Sequence, residues 1–304
     1  MPVAAIDIGT NTVLLLVADR KENDIVAVAE RATITRLGEG VDKTRKLAPA
    51  AIERTNAAID AYAAIVKELG VTRIDVVGTS AMRDAGGGEA VREHVKKMLG
   101  VEARTISGDE EAKLTFAGAL SGIRDLRSGN VRVYDIGGGS TEVVHGLIET
   151  SVLAYAHSFD VGSVRLTERH VTSDPPTKLE MDAVSAAARS VFASVPKFES
   201  QVPPVGIAGT MTTIAAIALE MATYDGARVH GMRLSMSDLR RVIDRLASVP
   251  LAERVKIPGL EPKRADVIIA GALIAAAYLD HVGAAEVIIS DRGVRWGLVA
   301  GLLT

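Results

Sequence analysis

The chain has 304 residues, 48% of them hydrophobic, and no cysteine, so it can bury one large core or two of ordinary domain size, and disulfides and thiolate metal centres are excluded. With 35 basic against 38 acidic residues the net charge is −3, which excludes the strongly basic surface of a nucleic-acid binder and makes any anion site a local feature. The six histidines are scattered, with no HxH or HExxH spacing, and no zinc cluster is expected. Met1-Pro2 leads directly into an apolar strand without a basic leader. The longest apolar run, Val267 to Leu279, falls short of the roughly 20 residues that span a bilayer. The expectation is a cytoplasmic protein with no signal peptide and no membrane segment.

In chain order, "VAAIDIG" predicts a buried strand, "TNT" a turn and "VLLLVAD" a second strand. "LAPAAIERTNAAIDAYAAIVKELG" predicts a helix: Ile52, Thr55, Ile59, Tyr62 and Val66 recur at alternating spacings of three and four, and Gly70 stops it. "RIDVVG" is a strand running into a polar loop, "TSAMRDA", and "GGGEAVREHVKKMLG" is a loop and then a helix. "VEARTIS" is a strand, "GDEEAKLTFAGALSG" opens a helix, and the turn-like "RDLRSGN" leads into the strand "GNVRVYDIG". That strand repeats the opening of the chain. Asp7-Ile8-Gly9-Thr10-Asn11-Thr12 and Asp135-Ile136-Gly137-Gly138-Gly139-Ser140-Thr141 share an apolar strand, Asp-Ile-Gly, a small polar turn and a second apolar strand, 128 residues apart. An offset of about one domain length indicates duplication.

In the second half, Thr177 and Glu180 have capping-box spacing for a helix running to about Phe198. "PPVGIAGTMTTIAAIALEM" is a short strand, a Gly-Thr turn and a helix; Ser237 is placed to cap "DLRRVIDRLASV". "PKRADVIIAGALIAAAYLDHVG" is a long buried helix, "EVIIS" a strand and "DRGVRWGLVAGLL" a closing helix. Strands alternating with helices give an α/β fold. The hairpin that opens each half makes the sheets mixed rather than purely parallel. The expected domains are 1–126 and 127–304, with the last helix, about 292–304, able to pack back on the first.

Three consecutive glycines weaken any helix or strand, and in "VYDIGGGSTEVV" they demand a use. A glycine turn leaves its backbone N–H groups uncovered, and successive N–H groups form an anion-binding nest. Ser140 and Thr141 add hydroxyl donors, and Asp135 stands at the strand end, where it can hold a divalent cation. Gly9, Thr10, Asn11 and Thr12 supply a second loop, expected on the opposite wall of a cleft. Gly209 and Thr210 of "GIAGT" join the N-terminus of a helix, where anions are also favoured. There is no GxxxxGK[ST], so this is not a P-loop nucleotidase. Arg83, in the loop after a buried strand, is a planar cation suited to an anionic substrate, or a surface partner of Asp84. Glu110 and Glu111 open a helix about 100° apart around its axis, so only one can face a given site.

Together "AIDIGTNTVLLLVAD", "GTSAMRDA", "ISGDEEAKLTFAGAL", "VYDIGGGSTEVV", "FDVGSVRLTE", "GIAGTMTTIAAI", "KRADVIIAGA" and "SDRGVRWGL" resemble, in order, the exopolyphosphatase and guanosine-pentaphosphate phosphohydrolase family of the actin, heat-shock ATPase and sugar-kinase superfamily. The opening loop is "GTNT" where the family usually has "GSNS", and both keep their hydroxyls. The resemblance is to the short form, without the C-terminal helical region of longer relatives. It implies two ribonuclease-H-like, actin-like domains with mixed sheets flanked by helices and the active site in the interdomain cleft. It implies metal-dependent hydrolysis of a terminal phosphoanhydride with Mg²⁺ (or Mn²⁺), inorganic polyphosphate or guanosine pentaphosphate as substrate, and a homodimer. By position in the motifs, Glu111 matches the catalytic base, Glu142 the second catalytic carboxylate and a metal ligand with Asp135 and Asp7, and Arg83 a substrate-phosphate contact. Arg165, Lys263, Arg264, Arg292 and Arg295 lie in motif stretches and are candidates to line a groove for a polyanion. An actin-like small-molecule kinase and a nucleotide-gated scaffold are the competing readings. "GDEEA" and "GTSAMRDA" argue against the kinase.

Overall fold

The computed structural model describes every residue except 23, 124, 125, 127, 151 and 201. The turn expected over residues 124–130 therefore lies partly outside the described residues. The elements in chain order are β1 Val3–Ile8, β2 Thr12–Lys21, β3 Asp24–Ile34, α1 Val41–Thr44, α2 Pro49–Glu68, β4 Arg73–Gly78, α3 Ser80–Asp84, α4 Gly88–Leu99, β5 Ala103–Thr105 and α5 Gly108–Leu120. They continue with β6 Asn130–Ile136, β7 Thr141–Leu147, β8 Leu153–Phe159, α6 Ser163–His170, α7 Lys178–Phe192, β9 Val205–Ile207, α8 Ala208–Ala218, α9 Gly226–Val229 and β10 Arg233–Ser235. The chain ends with α10 Met236–Ala247, α11 Leu251–Arg254, a 3₁₀ turn Pro262–Arg264, α12 Ile268–Val282, β11 Glu286–Ile289 and α13 Val294–Leu303. Among the described residues no helix is long and apolar enough to cross a membrane.

The chain divides into two compact units, Met1–Gly118 with Val294–Thr304, and Ala119–Gly293. The first unit's sheet runs β3-β2-β1-β4-β5 and the second's β10-β11-β9-β6-β7-β8. In the first, β1 pairs antiparallel with β2 and parallel with β4. In the second, β6 pairs antiparallel with β7 and parallel with β9. The same order therefore recurs around β1 and around β6, in mixed sheets. Strands flanked on both sides bury both faces and read as near-continuous apolar runs; β1 is buried at every residue and apolar at all but Asp7.

The first unit fills one sheet face with Ile6, Ile8, Leu15 and Val76 against Ile59 and Tyr62 of α2 and Val91 and Val95 of α4. Its other face packs Val3, Ala5, Leu16 and Val77 against Trp296, Leu298 and Val299 of α13. The second unit's core gathers Tyr134, Val143 and Phe159 with Phe192 of α7, Ile214 of α8 and Tyr278 of α12.

Several local expectations change. "TSAMRDA" is not all loop: Ser80–Asp84 makes a short helix. The capping box of α7 is present, Thr177 N–H donating to Glu180 Oε2 at 2.8 Å and Glu180 N–H to Thr177 Oγ1 at 3.3 Å. The helix ends at Phe192 rather than near Phe198, shortly before Pro196, which cannot donate to a continuing ladder. The cap of α10 is Ser235, not Ser237: Ser235 Oγ accepts from Asp238 N–H at 3.0 Å.

Candidate active site

The β1–β2 and β6–β7 loops have one frame. Gly9 N–H donates to the Thr12 carbonyl at 3.1 Å, and Gly137 N–H donates to the Ser140 carbonyl at 3.0 Å. Gly9 is required by close approach, since a Cβ there would lie 2.9 Å from the Thr12 carbonyl oxygen. The loop carbonyls are anchored outward. Gly38 N–H holds Thr10 O at 2.8 Å, and the N–H groups of Thr35 and Arg36 hold Asn11 O at 3.0 Å each. Ser163 N–H holds Gly137 O at 2.9 Å, and the N–H groups of Val164 and Arg165 hold Gly138 O at 2.9 and 3.1 Å. Arg165 Nε holds Gly139 O at 2.6 Å. In a trans peptide the N–H points opposite to its C=O. Anchoring the carbonyls of Gly137, Gly138 and Gly139 on one side therefore aims the N–H groups of Gly138, Gly139 and Ser140 together to the other, which is the geometry of an anion nest.

The hydroxyls divide. Thr141 Oγ1 donates to Val161 O at 2.6 Å and Thr210 Oγ1 to Ile136 O at 2.9 Å, so both protons tie the fold rather than await a ligand. Thr10 Oγ1 accepts from Ala81 N–H at 3.2 Å and keeps its own proton to donate. Asn11 Oδ1 is buried with no hydrogen-bond partner among the described residues.

Beside these loops the two units differ in the residue that faces the strand-end aspartate. Asp135 pairs across the strands with Glu142, so the two carboxylates share one face about 5 Å apart at Cβ. Asp7, at the same place in β1, pairs with Leu14. Glu142 is 1% exposed and accepts from Ser158 Oγ at 2.6 Å, which fixes its orientation. Among the described residues no three histidine, aspartate or glutamate side chains gather closely enough to hold a metal. The Asp135–Glu142 pair nonetheless supplies the hard oxygen donors that Mg²⁺ or Mn²⁺ takes, with phosphate oxygens and water completing the shell. Asp7 belongs to the other unit's loop.

In the first unit Arg83 Nη1 donates to Glu111 Oε2 at 3.0 Å and to Ile106 O at 3.2 Å. Its Nε lies 3.7 Å from Asp84 Oδ1. Glu111 is buried, whereas Glu110 turns outward to Arg104 Nη1 at 2.7 Å. The choice between the adjacent glutamates thus falls on Glu111, and Arg83 holds it in one orientation.

The groove cations are mostly engaged elsewhere. Arg165 is buried against Gly139, Arg292 Nη1 donates to Ser121 O at 3.1 Å, and Arg295 Nη2 donates to Glu30 at 2.6 Å. Lys263 is exposed. Arg264 lies over Gly209, and a Cβ there would make the guanidinium shift. Burial lowers the Arg264 pKa, opposed by Glu261 and Tyr224, and its Nε has no hydrogen-bond partner among the described residues. The turn beneath it is strained at Ala208, with φ at 66°. The carbonyl anchoring by α6 and the Ser158 brace on Glu142 escaped the sequence. Neither has a periodic signal, because both join residues that only the β7–β8 pairing and the turn after it bring together.

A nest of backbone N–H groups beside a carboxylate pair, on a duplicated α/β frame of actin-like type, defines an enzyme that works on phosphate. The chain belongs to the Ppx/GppA phosphatase family, whose model matches residues 16–304. It is 38% identical over 319 aligned positions to exopolyphosphatase 2 of Mycobacterium tuberculosis, covering 99% of this chain and 98% of that one. It is 30% identical to exopolyphosphatase 1 of Mycobacterium bovis, covering 98% and 87%. Among solved structures, an exopolyphosphatase-like protein superposes with a TM-score of 0.90 at 34% identity, covering 100% of this chain and 99% of that chain. The Ppx/GppA family member of Aquifex aeolicus superposes with a TM-score of 0.83 at 33% identity, covering 100% and 98%.

Proposed function

We propose that the chain is an exopolyphosphatase, releasing orthophosphate from the end of inorganic polyphosphate by hydrolysing the terminal phosphoanhydride. The observation that carries this is the anchoring of the Gly137, Gly138 and Gly139 carbonyls, which turns the Gly138, Gly139 and Ser140 N–H groups to the opposite side, beside Asp135 and Glu142. The relatives named exopolyphosphatase support polyphosphate as the substrate. Phosphoryl transfer needs charge neutralisation and in-line positioning more than covalent chemistry. The nest binds the oxygens of the terminal phosphoryl group. Asp135 and Glu142 hold Mg²⁺ or Mn²⁺, which when bound neutralises phosphate charge. Glu111 takes the proton of the attacking water, and Arg83 holds that carboxylate at a fixed angle.

The test is phosphate release from long-chain polyphosphate, with Mg²⁺ and with EDTA, for wild type and Glu111→Gln. Metal-dependent release that falls by roughly 10²–10³ in the variant, with unchanged thermal stability, is expected. Unaltered turnover in the variant removes Glu111 as the base. Guanosine pentaphosphate loses its terminal phosphate by the same chemistry, and a higher kcat/KM on it than on polyphosphate would replace the substrate proposed.

A further inference from the structure

The two loops are anchored by different means. In the first unit every donor named on the loop carbonyls is backbone: Gly38 on Thr10, Thr35 and Arg36 on Asn11. In the second unit the Gly138 carbonyl is likewise held by backbone N–H groups, but the carbonyl of Gly139, which occupies the place of Asn11, is held at 2.6 Å by a side chain, Arg165 Nε. Arg165 is 6% exposed, and its Nη2 lies 3.7 Å from Asp160 Oδ1. The guanidinium is on the carbonyl side of the Gly139–Ser140 peptide, opposite the N–H that a phosphate would meet.

We propose that Arg165 is a positioning residue for phosphate binding: it locks the Gly139–Ser140 peptide so that the Ser140 N–H converges with those of Gly138 and Gly139. The proposal rests on reading this loop as the phosphate site. The glycine at 139 lets the Gly139–Ser140 peptide rotate at little steric cost, so without an anchor on its carbonyl that peptide samples orientations in which the Ser140 N–H diverges from those of Gly138 and Gly139. A charge-assisted hydrogen bond to the carbonyl, shorter and stronger than a neutral one, removes that freedom. The loop also seats closely on the start of α6. A Cβ on Gly162 would lie 2.4 Å from the Gly138 carbonyl oxygen, so glycine there is what lets the Ser163, Val164 and Arg165 N–H groups reach the loop. Arg165 thus acts on the reaction without touching the substrate, and a cation that sequence position suggests for a polyanion groove serves the loop backbone instead.

The experiment compares wild type, Arg165→Met and Arg165→Lys. Arg165→Met keeps the aliphatic stem and removes the donor. Its kcat for phosphate release from polyphosphate is expected to fall roughly 10- to 100-fold, with the thermal midpoint close to wild type and partial recovery in Arg165→Lys. Wild-type kcat in folded Arg165→Met overturns the proposal. A second readout does not depend on turnover: pyrophosphate is titrated while the amide resonances of Gly138, Gly139 and Ser140 are followed. They shift in wild type and respond at least tenfold more weakly in Arg165→Met. Equal responses overturn the role of Arg165, and no response in wild type overturns the loop as a phosphate site and the proposal with it. Wild type that shows the amide response but releases no phosphate overturns the hydrolase reading while leaving Arg165 supported. Should Arg165→Met not fold, Gly162→Ala decides. It keeps the guanidinium but pushes the Gly138 carbonyl, and a wild-type rate in both it and Arg165→Lys overturns the proposal.

Discussion

The residue opposite the strand-end aspartate differs between the two loops: Leu14 faces Asp7, and Glu142 faces Asp135. Two carboxylates side by side repel unless a cation or proton lies between them, so the second unit has paired its acids where the first has buried one beside an aliphatic chain. Glu142→Gln keeps the volume and can still accept from Ser158. The Mg²⁺ concentration for half-maximal phosphate release is expected to rise at least about tenfold. A titration of rate against Mg²⁺ with an unmoved midpoint and only a lower plateau would show that Glu142 acts on the substrate rather than on the ion. Residue type singled out the glycines, Asp135 and Glu142 as candidates, and the motif singled out Glu111; the fold sets Glu142 opposite Asp135 beside the glycine loop and buries Glu111. The site was not legible where a residue's task depends on its partner. Thr141 and Thr210 read as phosphate donors, yet each gives its proton to a carbonyl across the fold. Arg165 reads as a groove cation and braces a loop.

Among the elements, strong periodicity and punctuation carried well. β1, β2, β4, β6, α2, α4, α12 and α13 appear where apolar runs and glycine stops place them. β3 was silent because it is an edge strand with apolar residues on both faces, Val26 and Val28 being exposed, so it has no clean alternation. β8 and α6 were passed over as well, although α6 anchors the glycine loop. The α10 cap shows the finer limit. Ser235 and Ser237 are both suited to capping, and only the course of β10 into the helix decides between them. Ser235 accepts from Asp238 N–H, and its hydroxyl lies 2.8 Å from that of Ser237. Ser235→Ala should therefore cost about 1 kcal/mol, and Ser237→Ala less than about 0.5 kcal/mol. Urea unfolding of the two variants measures both, and the reverse ranking would return the cap to Ser237.

Across the whole molecule the duplicated topology has diverged in what it buries. The second unit packs a linked set of rings, from Tyr155 and His157 through Phe159 and Phe192 to Tyr278 and Tyr134. Within it His145 is fully buried between Tyr155 and Phe198. Its Nε2 is 3.4 Å from the Tyr278 hydroxyl, and its Nδ1 has no hydrogen-bond partner among the described residues. Burial first, then the nearby Arg132 and His281, lowers its pKa from 6.5 to about 4. His230, also in the second unit, is lowered by burial and then by Arg292. The sign follows from proton uptake. Below pH 6.5 the unfolded chain binds a proton that the folded ring refuses until about pH 4, so stability falls as pH drops through that window. At pH 5 the loss from His145 alone is about 2 kcal/mol. His145→Phe replaces the ring by one that stacks on Phe198 and leaves no unpaired nitrogen, which makes the exchange nearly neutral at pH 7.5. Thermal midpoints measured from pH 7.5 to pH 5 should drop steeply in wild type and distinctly less in His145→Phe. Parallel curves would move the acid sensitivity to His230 and the carboxylates, and would mean that water or a shifted Tyr278 admits the proton at His145.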